Sequence, residues 1–106
     1  MAKYLIVASY THEGIKGVKQ TGGTARTKAV EKAVKSVGGT IESFYFAFGA
    51  DDVFVTVDLP DNIAAAAIGM AVSATGLVAT RTVVLLTPAE MDAAAKKEVA
   101  FTPPGK

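Results

Sequence analysis

The sequence contains no cysteine, no tryptophan and a single histidine, His12, among 106 residues. Without thiols there is no disulfide, no Fe–S cluster and no thiolate nucleophile, and one imidazole cannot build the usual zinc site. Excess charge is missing as well. Eleven Lys/Arg against ten Asp/Glu leave a net +1, which argues against general electrostatic capture of nucleic acid or an anionic membrane. Long apolar runs are absent too. The N-terminal Met1–Ala8 is too short and too weakly flanked for a signal peptide. The most apolar stretch, Ile63–Ala74, falls short of the roughly 18 residues a spanning helix needs and is interrupted by Gly69. The expectation is a cytoplasmic protein with no nucleic-acid or membrane partner, no cofactor and no metal. Apolar side chains, in contrast, make up half the chain. A chain of this length buries about two-thirds of its unfolded surface, enough for one domain over residues 1–106 without staples.

The neutral total conceals an uneven layout. Residues 1–40 carry seven Lys/Arg against two acids, a local +5, whereas residues 41–92 carry seven acids against Arg81 alone, a local −6. Such segments attract one another within a subunit or between subunits. Taken blandly, they are solvated surfaces.

Hydrophobic patterning supplies the element order. Lys3–Tyr10 alternates and is rich in β-formers, so it reads as a strand. Thr11 then caps a helix start, with Glu13 in its first turn. That helix breaks at Gly22-Gly23 and restarts with Thr24 as cap. Arg26, Val30, Ala33, Val34 and Val37 fall on one helical face until Gly38-Gly39 ends it. Thr40–Phe48 and Val53–Leu59 form a hairpin around Gly49-Ala50-Asp51-Asp52. Asp61 or Asn62 caps a helix from Ile63 to about Ala74, and Thr80–Leu86 is the fourth strand. Thr87-Pro88-Ala89-Glu90 is a capping box with proline at the first helical position, opening a helix to about Glu98.

The order β-α-β-β-α-β is the ferredoxin-like split βαβ unit: an α+β fold with an antiparallel four-stranded sheet, here with an added C-terminal helix. Two helices cover only one face of such a sheet. Simple alternation puts Phe44, Phe46 and Phe48 on one face of the second strand and Ile41, Tyr45 and Ala47 on the other, so both faces are apolar. Either a second copy covers the open face, giving a dimeric α+β barrel, or the terminal helix and tail fold over it.

Candidate chemistry is sparse. Gly17–Thr24 falls one residue short of a phosphate loop, because Gly23 stands where the lysine belongs, so nucleotide hydrolysis is rejected. Gly22, Gly23 and Thr24 ahead of a cationic helix still offer backbone N–H groups to an anion. A simple helix restart accounts for the same glycines. Arg26 lies on an apolar stripe, where it either snorkels to solvent or clamps an anionic ligand. A buried guanidinium there wants Asp51 or Asp52 as its partner. His12 is the default acid/base side chain, or else an ordinary surface histidine. Tyr4, Tyr10 and Tyr45 line either a pocket or the core. Asp51, Asp52, Asp58 and Asp61 lack the spacing of a calcium loop.

The run Phe44–Val53, followed by Val57-Asp58-Leu59-Pro60-Asp61-Asn62, resembles the GYD-domain family. The resemblance extends to Tyr4-Leu5-Ile6, Ser9-Tyr10-Thr11, Gly22-Gly23 with Arg26, and Thr80-Arg81-Thr82. In the naming motif, roughly G-x-Y-D, Gly49 and Asp52 match while Asp51 replaces the tyrosine. The resemblance implies a small bacterial or archaeal protein with a ferredoxin-like, dimeric α+β-barrel fold. The wider fold group includes cofactor-free monooxygenases, isomerases and ligand-sensing domains. The leading expectation is a homo-oligomer binding a small organic anion between helices and sheet, through Arg26, Gly22, Gly23, Thr24, Tyr45 and Asp52. The alternatives are a cofactor-free isomerase or monooxygenase using His12, and a purely structural assembly unit.

Overall fold

A computed structural model describes all 106 residues. The elements are β1 (Ala2–Tyr10), α1 (His12–Thr21), α2 (Gly23–Ser36), β2 (Thr40–Phe46), β3 (Val53–Leu59), α3 (Asn62–Ser73), β4 (Val78–Leu85) and α4 (Pro88–Ala95). The strands form one sheet in the order β2-β3-β1-β4, and every neighbouring pair is antiparallel. This is the ferredoxin-like arrangement that the element order predicts.

The first crossover is two helices rather than one. The Thr11 hydroxyl accepts from the Gly14 N–H to start α1, and Gly22, at φ +86°, ends α1 and precedes α2. That left-handed backbone suits glycine, so Gly22 rather than Thr24 occupies the N-cap of α2. Gly23 answers a packing demand. A Cβ there would stand 3.0 Å from the Phe46 ring, so α2 starts flush against β2. The helix following β3 starts as expected, with the Asp61 carboxylate accepting from the Ala64 N–H at 2.9 Å.

Alternation along β2 is broken by a bulge. Ile41 lies opposite Val57, Phe44 opposite Val55 and Phe46 opposite Val53, with the register shift between Ile41 and Ser43. The extra residue moves Ile41 onto the same face as Phe44 and Phe46, contrary to simple two-residue periodicity. The strand also stops at Phe46. Phe48 stands in the turn, 98% exposed, and belongs to neither face.

The core lies between the sheet and the helices α2 and α3. Tyr4, Ile6 and Ala8 of β1 and Val53, Val55, Val57 and Leu59 of β3 pack with Val34, Ala64, Ala65, Ile68 and Val78. Tyr4 is buried yet satisfied, donating its hydroxyl to Asn62 Oδ1 at 2.6 Å. The opposite face carries Leu5, Val7, Phe54, Tyr45, Val83 and Leu85. Polar side chains share it: Lys3 pairs with Glu42 and with Asp58, and the Ser43 and Thr56 hydroxyls bond across β2 and β3. No helix packs there.

The terminal segment does not close that gap. Beyond Leu85 every residue is exposed, including all of α4. The capping box forms as expected, with Glu90 N–H donating to the Thr87 hydroxyl and Thr87 N–H donating to Glu90 Oε1. That backbone bond holds the Glu90 carboxyl below its ordinary pKa. The helix ends at Ala95, short of the expected Glu98, and projects from the domain. The radius of gyration is accordingly 16.8 Å, against about 13 Å for a compact chain of this length.

Candidate functional site

Two adjoining cavities lie among α1, α2, α3 and the sheet. The outer one, about 270 Å³, lies between α1 and the end of α3 and is lined by Glu13, Gly17, Thr21, Val72, Thr75 and Leu77, among others. The inner one, about 70 Å³, is walled almost entirely by apolar side chains of the core, including Val30, Phe44, Val55 and Ile68. Tyr10, Arg26, Val72 and Val78 line both. The phenol and the guanidinium therefore sit where a polar mouth meets an apolar chamber.

Local structure puts them there. Tyr10 continues the Tyr4, Ile6, Ala8 row of β1 and so faces the helices. Arg26 occupies the first turns of α2 on the stripe of Val30 and Val34, so its stem descends toward the sheet. Gly14 lets α1 approach closely enough to form the mouth, since a Cβ there would run into the Leu77 carbonyl oxygen. Thr11 reinforces that seam, its N–H donating to the same carbonyl at 2.9 Å.

The electrostatics are asymmetric. Arg26 Nε is buried and has no hydrogen-bond partner, and the guanidinium makes no ion pair with a carboxylate. An orphaned donor of this kind costs free energy, about 1–3 kcal/mol and more where charge is involved. The expected clamp to the hairpin does not form. Asp51 instead faces Arg81 at 4.0 Å on the other side of the sheet. Asp52 accepts the Tyr10 backbone N–H at 2.8 Å, while its own N–H donates to the Ala8 carbonyl. Burial raises the Tyr10 phenol above its ordinary pKa; the adjacent Arg26 opposes this and the Asp52 charge adds to it. Tyr10 is therefore a protonated donor at neutral pH. A guanidinium and a phenol at the rim of an apolar chamber suit a planar oxyanion that carries an apolar group.

A family model for the GYD domain matches residues 4–95. The chain belongs to the GYD-domain family. No curated protein and no solved structure matches it. The matched span of this GYD protein contains both cavities and ends with α4.

Of the seven residues read from the sequence as ligand-binding or catalytic, Arg26 alone lines the cavities, joined there by Tyr10 from the trio of candidate pocket tyrosines. Gly22 and Gly23 serve the helix break and the Phe46 contact, and Thr24 is exposed in the first turn of α2. Tyr45 is 71% exposed on the uncovered face, because its register opposite Phe54 points it away from the helices. Asp52 braces β1 beside the site without reaching Arg26. His12 is exposed at the start of α1 and lines neither cavity. Tyr10 is the polar residue that sequence reasoning underrated. The signal was its parity with Tyr4, Ile6 and Ala8, which places it on the helix-covered face.

Proposed function

We propose that this GYD-domain protein is a homo-oligomeric, cytosolic small-molecule-binding protein whose ligand is a small organic anion. The observation that carries the proposal is the buried, unpartnered Arg26 Nε at the junction of the two cavities. A carboxylate or comparable oxyanion supplies the missing acceptor, and the Tyr10 hydroxyl donates a second bond to it. The ligand's apolar part enters the inner chamber, whose size suits a short or branched aliphatic group. Glu13 in the mouth is a second carboxylate, so a dianion is disfavoured relative to a monoanion. Oligomerisation is supported by the apolar, helix-free face of the sheet, including Phe54 and Val83.

The reading as a cofactor-free enzyme loses its base, since His12 lies outside the cavity. The reading as a purely structural unit leaves the unpartnered Arg26 Nε without a purpose. Isothermal titration with a panel of short aliphatic and branched carboxylates tests the proposal. Binding by at least one monoanion is expected, with Arg26→Ala weakening it at least tenfold and Tyr10→Phe weakening it less. Unchanged binding in Arg26→Ala overturns it.

A further inference from the structure

The chain exposes more surface than a folded monomer of its size. Its accessible area is 7335 Å², whereas a compact protein of 10.9 kDa exposes about 5,600 Å². The excess is about 1,700 Å², roughly twice what each partner contributes to a standard interface. Much of it belongs to residues 86–106, none of which is buried. That segment is not uniformly polar. Leu86, Met91, Val99 and Phe101 are all more than half exposed. The Thr87–Glu90 capping box and Pro88 start α4 immediately after β4, and the helix that follows buries none of its residues in its own domain.

The same chain carries an unfilled groove. It has a volume of about 530 Å³ and runs between α3 and the edge strand β4, lined by Tyr4, Ala66, Gly69, Met70, Thr82 and Val84 among others. Met70 and Val84 project into solvent at its rim, 72% and 57% exposed. The groove contains no charged side chain. β4 is an edge strand, so nothing from its own subunit covers this side.

We propose that residues 86–106 are an exchanged arm, and that α4 and its tail seat in the α3–β4 groove of a second copy. The proposal rests on the homo-oligomer reading above and deepens it. One chain supplies both surfaces, so two copies related by a two-fold axis satisfy each other reciprocally and the assembly closes at a dimer. The occupant is a second copy rather than the chain's own arm, because α4 has no buried residue in its own chain and no residue of the arm lines its own groove. The excess area is of the size such an exchange consumes.

The lack of cysteine makes the test clean. Full-length Met70→Cys and Met91→Cys chains are prepared separately, mixed, partly denatured and renatured together, and treated with a short bifunctional maleimide. Val99→Cys serves as a second arm position. The expected result is a covalent dimer in the mixture that exceeds, at least fivefold, the dimer from either single variant. Arm exchange is overturned if the Met70→Cys/Met91→Cys double variant cross-links within one chain and stays monomeric. It is also overturned if light scattering shows a dimer while the mixture gives no cross-linked product, in which case the homo-oligomer reading survives on the open sheet face. A monomer by light scattering contradicts both. Met91→Asp in the full chain provides a second measure and is expected to raise the dimer dissociation constant at least tenfold, and an unchanged constant counts against the seat.

Discussion

The two faces of the sheet come from the same four strands and have opposite environments. On one, Tyr4, Ile6, Val55, Val57 and Leu59 lie under α2 and α3 and are almost fully buried. On the other, Leu5, Phe54 and Val83 alternate with Lys3, Thr56 and Asp58, and no helix intervenes. The covered face is open at two places, the cavity at Arg26 and Tyr10 and the groove between α3 and β4. The bare face is mixed: apolar enough to be costly when wet, polar enough to set the register of a partner. Under the proposed function, the contrast separates two jobs, with ligand chemistry inside the subunit and association outside it.

Substitution in the two faces gives the largest expected difference. Leu59→Ala removes a fully buried side chain and is expected to cost about 2–5 kcal/mol in denaturant unfolding. Val83→Ala, measured at concentrations low enough to keep chains apart, is expected to stay within about 0.5 kcal/mol of the parent. At higher concentration the Val83→Ala penalty should grow, because the face then has a partner to lose. Equal penalties in dilute solution would erase the distinction between the faces.

A smaller contrast concerns helix caps. Asp61→Ala unties α3, which packs on the core, and is expected to lower stability by about 1 kcal/mol. Thr87→Ala unties α4, which buries no residue in its own domain, and should leave the global midpoint of a dilute sample unchanged. Circular dichroism against a tryptophan-free fluorescence probe such as tyrosine emission separates local helix loss from global unfolding.

The smallest effect is in alkaline solution. Tyr10 and Lys3 both have raised pKa values in the folded chain, Tyr10 through burial and Lys3 through its hydrogen bonds to Glu42 and Asp58. A raised folded value means that the associated stability is fully present below the unfolded pKa, near 10 for both types, and is lost as pH rises through the folded value. Stability should therefore fall above about pH 10, and Tyr10→Phe should flatten that fall. A Tyr10→Phe profile superimposable on the parent would place the phenol outside the buried site.

Much of this was legible in the sequence. The element order, the Asp61 cap, the Thr87–Glu90 capping box and the two-sided sheet all follow from local patterns of a few residues. Arg26 was visible because a cation on the stripe of Val30 and Val34 breaks a rule that needs no partner to state. Failures came where a long-range contact decides. The β2 bulge depends on pairing with β3, so alternation alone misplaced Ile41. Gly22 and Gly23 looked like an anion loop, yet one turns the backbone and the other admits the Phe46 ring from a strand over twenty residues away. Tyr45 and Tyr10 are the same residue type at strand ends, and only sheet register separates the exposed one from the one in the cavity. The unpacked arm could not be foreseen either, since its mixture of apolar and polar residues suits a helix that covers its own sheet equally well.

Native mass spectrometry of the purified full-length protein tests the central claim most directly. The account predicts a dimer carrying a small dissociable acid on each subunit, or accepting one on addition of a short carboxylate, with the added mass absent from Arg26→Ala. An Arg26→Ala sample that retains the same bound mass would contradict it, as would parent protein that takes up no anion from the panel.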